Sequence, residues 1–202
     1  MRKYIVGITG GIATGKTNVT DALRNAGAHV VDADEISRSL TKDNGEALPD
    51  IYQLFGEKVF VSVQPDMILD RKALGNIIFS DADKKAQLEK LLHPWIIRRC
   101  QEEMHSSPHP IVFLSAPLLY ECGMEKLCDE VWCTYLPEDM QIARLMNRDQ
   151  ISEQDARARM NSQMPAGEKR DRAQLVIDTR FTREESAQQA LQAFRALKER
   201  ID

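Results

Sequence analysis

The sequence predicts an α/β fold in three layers, with a five-stranded parallel sheet flanked by helices. Three observations predict it. Short, continuously apolar, β-branched runs recur along the chain, stretches with apolar residues at helical spacing separate them, and a glycine-rich turn joins the first run to the first helix. Strands covered by helices on both faces read as unbroken apolar runs rather than as alternation.

Tyr4 to Thr9 is the first such run, and Gly10-Gly11 ends it. Val19, Ala22, Leu23 and Ala26 then predict a helix from Lys16 to Ala26, with Gly27 as its stop. Ala28-His29-Val30-Val31 predicts a second strand running into Asp32 and Asp34, at the C-terminal strand end where open α/β sheets place ligands. Between about Pro65 and Ser107 the pattern is helical. Asp70 suits a cap for Ala73, Leu74, Ile77 and Ile78; Ser80 opens a helix through Leu88, Leu91 and Leu92; and Pro94 suits the first turn of a third. Ile111–Leu114, Val131–Tyr135 and Leu175–Ile177 supply the remaining strands. Thr182 and Glu185 fit a capping box for a last helix carrying Ala187, Ala190, Leu191, Phe194, Leu197 and Ile201.

Composition excludes several classes. The 202 residues are 43% hydrophobic, an ordinary globular content that rules out disordered and low-complexity chains. With 27 basic against 31 acidic residues the net charge is −4, which disfavours a nucleic-acid partner. Ile111 to Tyr120, the most apolar stretch, is about half the length of a membrane span and contains Pro117. No membrane crossing is expected. The apolar run after Met1-Arg2-Lys3 stops at Gly7, so a secretory signal is not expected either. Cys100, Cys122, Cys128 and Cys133 form no C-x-x-C pair and read as reduced thiols of a cytoplasmic protein.

Gly10-Gly11-Ile12-Ala13-Thr14-Gly15-Lys16-Thr17 fits the phosphate-binding pattern G-x-x-x-x-G-K-[ST] at every fixed position. A strand before it and a helix after it let backbone N–H groups and the helix N-terminus face phosphate oxygens. Gly11 to Asn18 are therefore assigned to ATP, with Lys16 at the β/γ-phosphates and Thr17 at Mg²⁺. No Asn-Lys-x-Asp guanine-reading element is present. The run Ile111–Leu114 enters Ser115-Ala116-Pro117 rather than the acidic pair expected of a motor ATPase.

Phosphoryl transfer to an alcohol requires a carboxylate to accept the hydroxyl proton. Asp34 is assigned that role and Asp32 the outer support of Mg²⁺, on the expectation that extended backbone continues through Ala33 and aims both one way. The bland alternative is a cap on a helix starting near Glu35. Arg144 and Arg148, four apart on a predicted helix, are read as a clamp on the transferring phosphoryl group. They lie in the segment from Gln141 to Arg172, where seven basic residues face five acidic ones.

Several separated stretches together resemble the dephospho-coenzyme A kinase family. They are Gly7 to Ile12 leading into the loop, Val31-Asp32-Ala33-Asp34-Glu35-Ile36-Ser37-Arg38, Leu69-Asp70-Arg71, His93-Pro94, Pro117-Leu118-Leu119-Tyr120-Glu121, Gln141 with Arg144 and Arg148, Gln163, and Val176-Ile177-Asp178. The resemblance implies a single P-loop kinase domain that phosphorylates the ribose 3′-hydroxyl of dephospho-CoA with Mg²⁺ and ATP. It implies Thr9 and Asp34 at the reacting hydroxyl, Arg144 on phosphate, and Arg71, His93 and Leu118 at the acceptor. The expected organisation is a nucleotide-binding core over 1–59, 109–139 and 166–202, a helical acceptor-binding insertion over 60–108, and a lid over 140–165.

The chain departs from the family pattern at Ser115-Ala116, at Gln174 and at Asp178-Thr179-Arg180, and the last departure bears on how adenine is held. A kinase of another small alcohol or nucleotide, and a nucleotide-dependent protein switch, stay open as alternatives. Monomer and homo-oligomer are equally compatible with the sequence.

Overall fold

The computed structural model describes residues 2–201. It forms two compact units, one made of residues 1–31 and 104–202 and the other of residues 32–103. The second unit therefore takes in residues 32–59 as well as most of the expected insertion.

The first unit is built on β1 (Tyr4–Gly10), which leads through the loop into α1 (Lys16–Asn25) and then β2 (His29–Asp32). The sheet is completed by β5 (Ile111–Ser115), β6 (Glu130–Tyr135) and β7 (Leu175–Asp178), in the order β2-β5-β1-β6-β7. The five-stranded parallel sheet predicted from the apolar runs is thus present. β1 pairs in parallel with β5 from Tyr4 opposite Ile111 to Ile8 opposite Ser115, and with β6 from Val6 opposite Glu130 to Gly10 opposite Thr134. The chain moves to one side of β1 for β2 and β5 and to the other for β6 and β7, so the C-terminal end of β1 faces a topological switch point.

α9 (Arg183–Ile201) carries the expected stripe, with Ala190, Phe194 and Leu197 buried against Val6, Val19, Leu23, Phe113 and Trp132. Phe113 meets Trp132 and Phe194 edge to face at 5.3 Å each, contacts worth about 0.5–1.5 kcal/mol apiece beyond their burial. The capping box forms as read: Thr182 N–H donates to Glu185 Oε2 and Glu185 N–H to Thr182 Oγ1.

Three helices follow β6: α6 (Glu138–Asp149), α7 (Glu153–Asn161) and α8 (Ala166–Arg172). Ile142 and Leu145 of α6 and Ala156 of α7 form a small core that Ile12 and Ala13 of the glycine-rich loop join. The expected lid region thereby packs on the loop.

The second unit contains α2 (Ala33–Leu40), α3 (Leu48–Phe55), a short antiparallel pair β3 (Phe60–Ser62) and β4 (Ile68–Leu69), α4 (Arg71–Ser80) and α5 (Ala82–Ser106), whose last turn enters the first unit. Leu48, Ile51, Phe55, Val59, Leu69, Leu74 and Leu88 are its core. Asp70 caps α4 as predicted, accepting from Lys72 N and Ala73 N.

Three local expectations fail. Ser80 does not open the helix through Leu88: it ends α4, its hydroxyl bonding back to Asn76 O and Ile77 O, and Asp81 Oδ1 instead accepts from Lys84 N at the start of α5. The helix boundary expected at Pro94 does not exist, because α5 runs through it. The ring removes one helical N–H, yet Leu88, Leu91 and Leu92 pack before it and Cys100 is buried after it, so the apolar stripe holds the helix on both sides. The backbone also leaves the extended conformation at Ala33 rather than beyond it. Asp32 Oδ1 accepts from Asp34 N and Glu35 N, making Asp32 the N-cap of α2, an arrangement worth about 1 kcal/mol.

Candidate active site

Local sequence determines the loop. Gly15 takes φ +82° at the N-cap of α1, a conformation any Cβ would strain, and Asn18 N and Val19 N bond back to its carbonyl. A Cβ on Gly10 would collide with Thr134 Oγ1 and Thr14 Oγ1, so the strand end tolerates only glycine. Thr14 is buried, bonding Gly11 O at 2.7 Å and Thr134 Oγ1 at 2.8 Å. These contacts fix the loop between β1 and β6 and leave the N-terminus of α1 as a positive, donor-rich end.

Lys16 Nζ donates to Ser115 Oγ at 2.6 Å, across from the end of β5. Ser115 thus meets the lysine with a neutral hydroxyl. Thr17 is exposed in the first turn of α1, and Asn18 Nδ2 ties that turn to Arg183 O at 2.9 Å. Thr9 is fully buried and its Oγ1 donates to Pro117 O at 3.2 Å. Leu118 follows, half-buried in the turn after β5.

Arg144 and Arg148 share α6, but their guanidinium groups have different partners. Arg144 is half-buried and donates to Thr179 O at 2.6 Å. Arg148 is exposed and grips Asp149 at 2.7 and 3.1 Å, a hydrogen bond that holds the Asp149 carboxyl below the ordinary carboxylate range. Thr179 also lies beside the loop, since a Cβ on Gly15 would sit 3.7 Å from its Cγ2. The Thr179 side chain is thus a neighbour of the loop, while its main-chain carbonyl anchors Arg144. Arg180 folds back onto Asp178 at 2.6 Å and keeps that carboxyl low as well.

Within the second unit, Asp34 is exposed in the first turn of α2, next to the cap formed by Asp32. Arg71 donates to Thr41 O at 2.8 Å and to Thr41 Oγ1 at 3.2 Å, which ties it to the C-terminal end of α2. His93 is half-buried on α5, one residue before Pro94.

Sequence reasoning missed Lys169, which was counted among the basic residues of its segment. Its side chain is 0% exposed, donates to Pro117 O and pairs with Glu121 Oε1 at 2.8 Å. Glu121 Oε1 also accepts from Met164 N at 2.9 Å. Only the Pro-Leu-Leu-x-Glu element hinted at this arrangement, through Glu121. Beside the loop lies a cleft of about 580 Å³ lined in part by Gly11, Ile12, Tyr135, Gln141, Arg157 and Gln163. Burial pushes the Cys133 and Cys128 thiols up to about 12, so neither is a thiolate at neutral pH.

Residues 4–184 match the family model described as dephospho-CoA kinase. A dephospho-CoA kinase from Geobacter metallireducens is 39% identical over 201 residues, covering 98% of this chain and 97% of the relative. A crystal structure from Thermus thermophilus superposes with a TM-score of 0.81 at 34% identity, covering 97% of this chain and 98% of the other. A dephospho-CoA kinase from Campylobacter jejuni does so with a TM-score of 0.75 at 25% identity, covering 99% and 100%. The match spans the phosphate loop, the Asp-Ala-Asp element and the arginine-bearing helix alike, and the chain belongs to the dephospho-CoA kinase family.

Proposed function

We propose that this chain transfers the γ-phosphoryl group of ATP to the ribose 3′-hydroxyl of dephospho-CoA, giving coenzyme A in the cytoplasm. Family membership over nearly the whole chain, joined to a fully formed phosphate loop with Lys16 at its end, carries the reading.

Lys16 exchanges Ser115 for the β/γ-phosphates, because an ammonium gains more from a phosphate than from a neutral hydroxyl. Backbone N–H groups of Gly11 to Thr17 hold the remaining phosphate oxygens, and Asn18 steadies the first turn of α1. Mg²⁺ takes one or two protein oxygens plus phosphates and waters, so an exposed Thr17 hydroxyl in this position fits it, and the ion would neutralise phosphate charge. Asp32, committed to its helix cap, acts at most from outside that shell.

Asp34 accepts the proton of the attacking hydroxyl. Thr9 orients that hydroxyl, and Arg144 with Arg148 neutralises charge on the transferring group as the segment 140–165 closes. Arg71, His93 and Leu118 hold the dephospho-CoA. Closure excludes water, which keeps ATP from being hydrolysed.

ADP release from Mg-ATP tests the reading, with dephospho-CoA, shikimate, nucleoside monophosphates or no acceptor present. Stimulation by dephospho-CoA alone is expected. Stimulation only by another acceptor would overturn the substrate, and release unaffected by any acceptor would overturn the kinase reading.

A further inference from the structure

We propose that Lys169, buried and paired with the more exposed Glu121, forms with it a positioning device for Thr9, and thereby for the acceptor hydroxyl. The proposal rests on Thr9 acting at the reacting hydroxyl.

One carbonyl is the junction. Pro117 O accepts both the Thr9 hydroxyl, at 3.2 Å, and the Lys169 ammonium. A carbonyl oxygen has two lone pairs, and here both are taken. Lys169 in turn is fixed by Glu121 Oε1 at 2.8 Å, and the same oxygen takes the N–H of Met164 in the segment just before α8. Five groups from three separate stretches of the chain therefore hold one another through polar contacts.

The position is costly for a lysine. Burying its ammonium costs several kcal/mol in desolvation even beside a carboxylate, and an apolar side chain of similar volume serves stability as well or better. The arrangement is accounted for by what it fixes. With Pro117 O held in place, the proton of the buried Thr9 is committed to it, and lone pairs are all that the threonine oxygen keeps for an acceptor hydroxyl that enters beside it. Lone pairs suit an alcohol O–H and repel phosphate oxygens. Thr9 is thereby set to accept a hydrogen bond from the acceptor hydroxyl and align it for attack, and α8 carries the anchor.

That helix also meets the phosphate loop. A Cβ on Gly11 would lie 3.0 Å from the Cβ of Ala166, the first residue of α8. The same short helix thus abuts the triphosphate cradle at one end and anchors the Thr9 contact through Lys169. Neither lysine nor carboxylate touches substrate in this account; both act through Thr9.

The test is a coupled kinetic cycle with Thr9→Val, the pair Lys169→Met with Glu121→Gln, and all three together. Thr9→Val and the pair should each lower kcat about tenfold or more with KM for ATP within about twofold, and the triple variant should be no worse than Thr9→Val alone. Losses that multiply in the triple variant, or a pair variant with wild-type kcat, would overturn the proposal while leaving Thr9 in place. An unchanged kcat in Thr9→Val would instead overturn the role of Thr9 and this proposal with it. Should the pair variant not fold, Glu121→Gln alone carries the test: a kcat loss of about threefold with Thr9 present and none in the Thr9→Val background supports coupling, and equal loss in both backgrounds contradicts it.

Discussion

Two lysines donate to the chain where β5 ends, one to Ser115 and one to Pro117, and they differ in almost everything else. Lys16 belongs to a local motif, reaches a neutral hydroxyl on Ser115, and stays partly accessible. Lys169 belongs to no motif, is sealed from solvent, and is tied to a carboxylate. The first is poised to trade its partner for phosphate, whereas the second is permanently committed. A cation that must meet a ligand is kept near water, and a cation that must hold the scaffold is paired and buried.

The sharpest way to break the contrast is to remove Lys16. Lys16→Ala should cost about 10²–10³-fold or more in kcat/KM and weaken ATP binding, with little change in melting temperature, as read by steady-state kinetics and nucleotide titration. Next comes Asp34→Asn, which should reduce turnover by about 10²–10⁴-fold while leaving ATP affinity within about twofold. Equal loss in turnover and affinity would remove Asp34 as the base.

Lys169 should behave in the opposite manner. Lys169→Met leaves Pro117 O and the water-accessible Glu121 carboxylate without their lysine partner and should lower stability by about 1–3 kcal/mol in urea unfolding. Replacing Glu121 as well should add little, because its carboxylate keeps contact with water. A Lys169→Met protein as stable as wild type would mean that the pair is not a committed one.

The smallest effect concerns Asp178 and Arg180. Since hydrogen bonding from Arg180 lowers the Asp178 carboxyl in the folded protein, it adds stability that is full above the unfolded carboxylate pKa of about 3.9 and disappears as pH falls through the lowered folded value. Arg180→Ala should therefore show a slight drop in melting temperature at pH 7 that vanishes near about pH 2. A drop that persists in acid would point to lost packing against the Phe181 ring, which the Arg180 guanidinium covers at 5.6 Å.

What the sequence made legible follows the same division between local and distant. The loop from Gly10 to Thr17, the strands and the caps at Asp70 and Thr182 are written in short spans, so spacing alone places them. Ala33 misled because a helix beginning directly at a strand end leaves no apolar period to mark the change; the cap on Asp32 is visible only once Asp34 N and Glu35 N point at it. Pro94 misled because packing on both sides outweighs one missing N–H. The β3 and β4 pair is too short to show a period. Lys169 was illegible for a stronger reason: its partners, Pro117 and Glu121, are 52 and 48 positions away, and a basic residue among basic residues reads as surface.

The most direct test of the central claim is to identify the product formed from dephospho-CoA and Mg-ATP and to locate its new phosphoryl group by mass spectrometry and phosphorus NMR. The account predicts one added group, on the ribose 3′-oxygen, formed in step with ADP. A phosphoryl group on any other oxygen, or ADP formed without a phosphorylated acceptor, would contradict it.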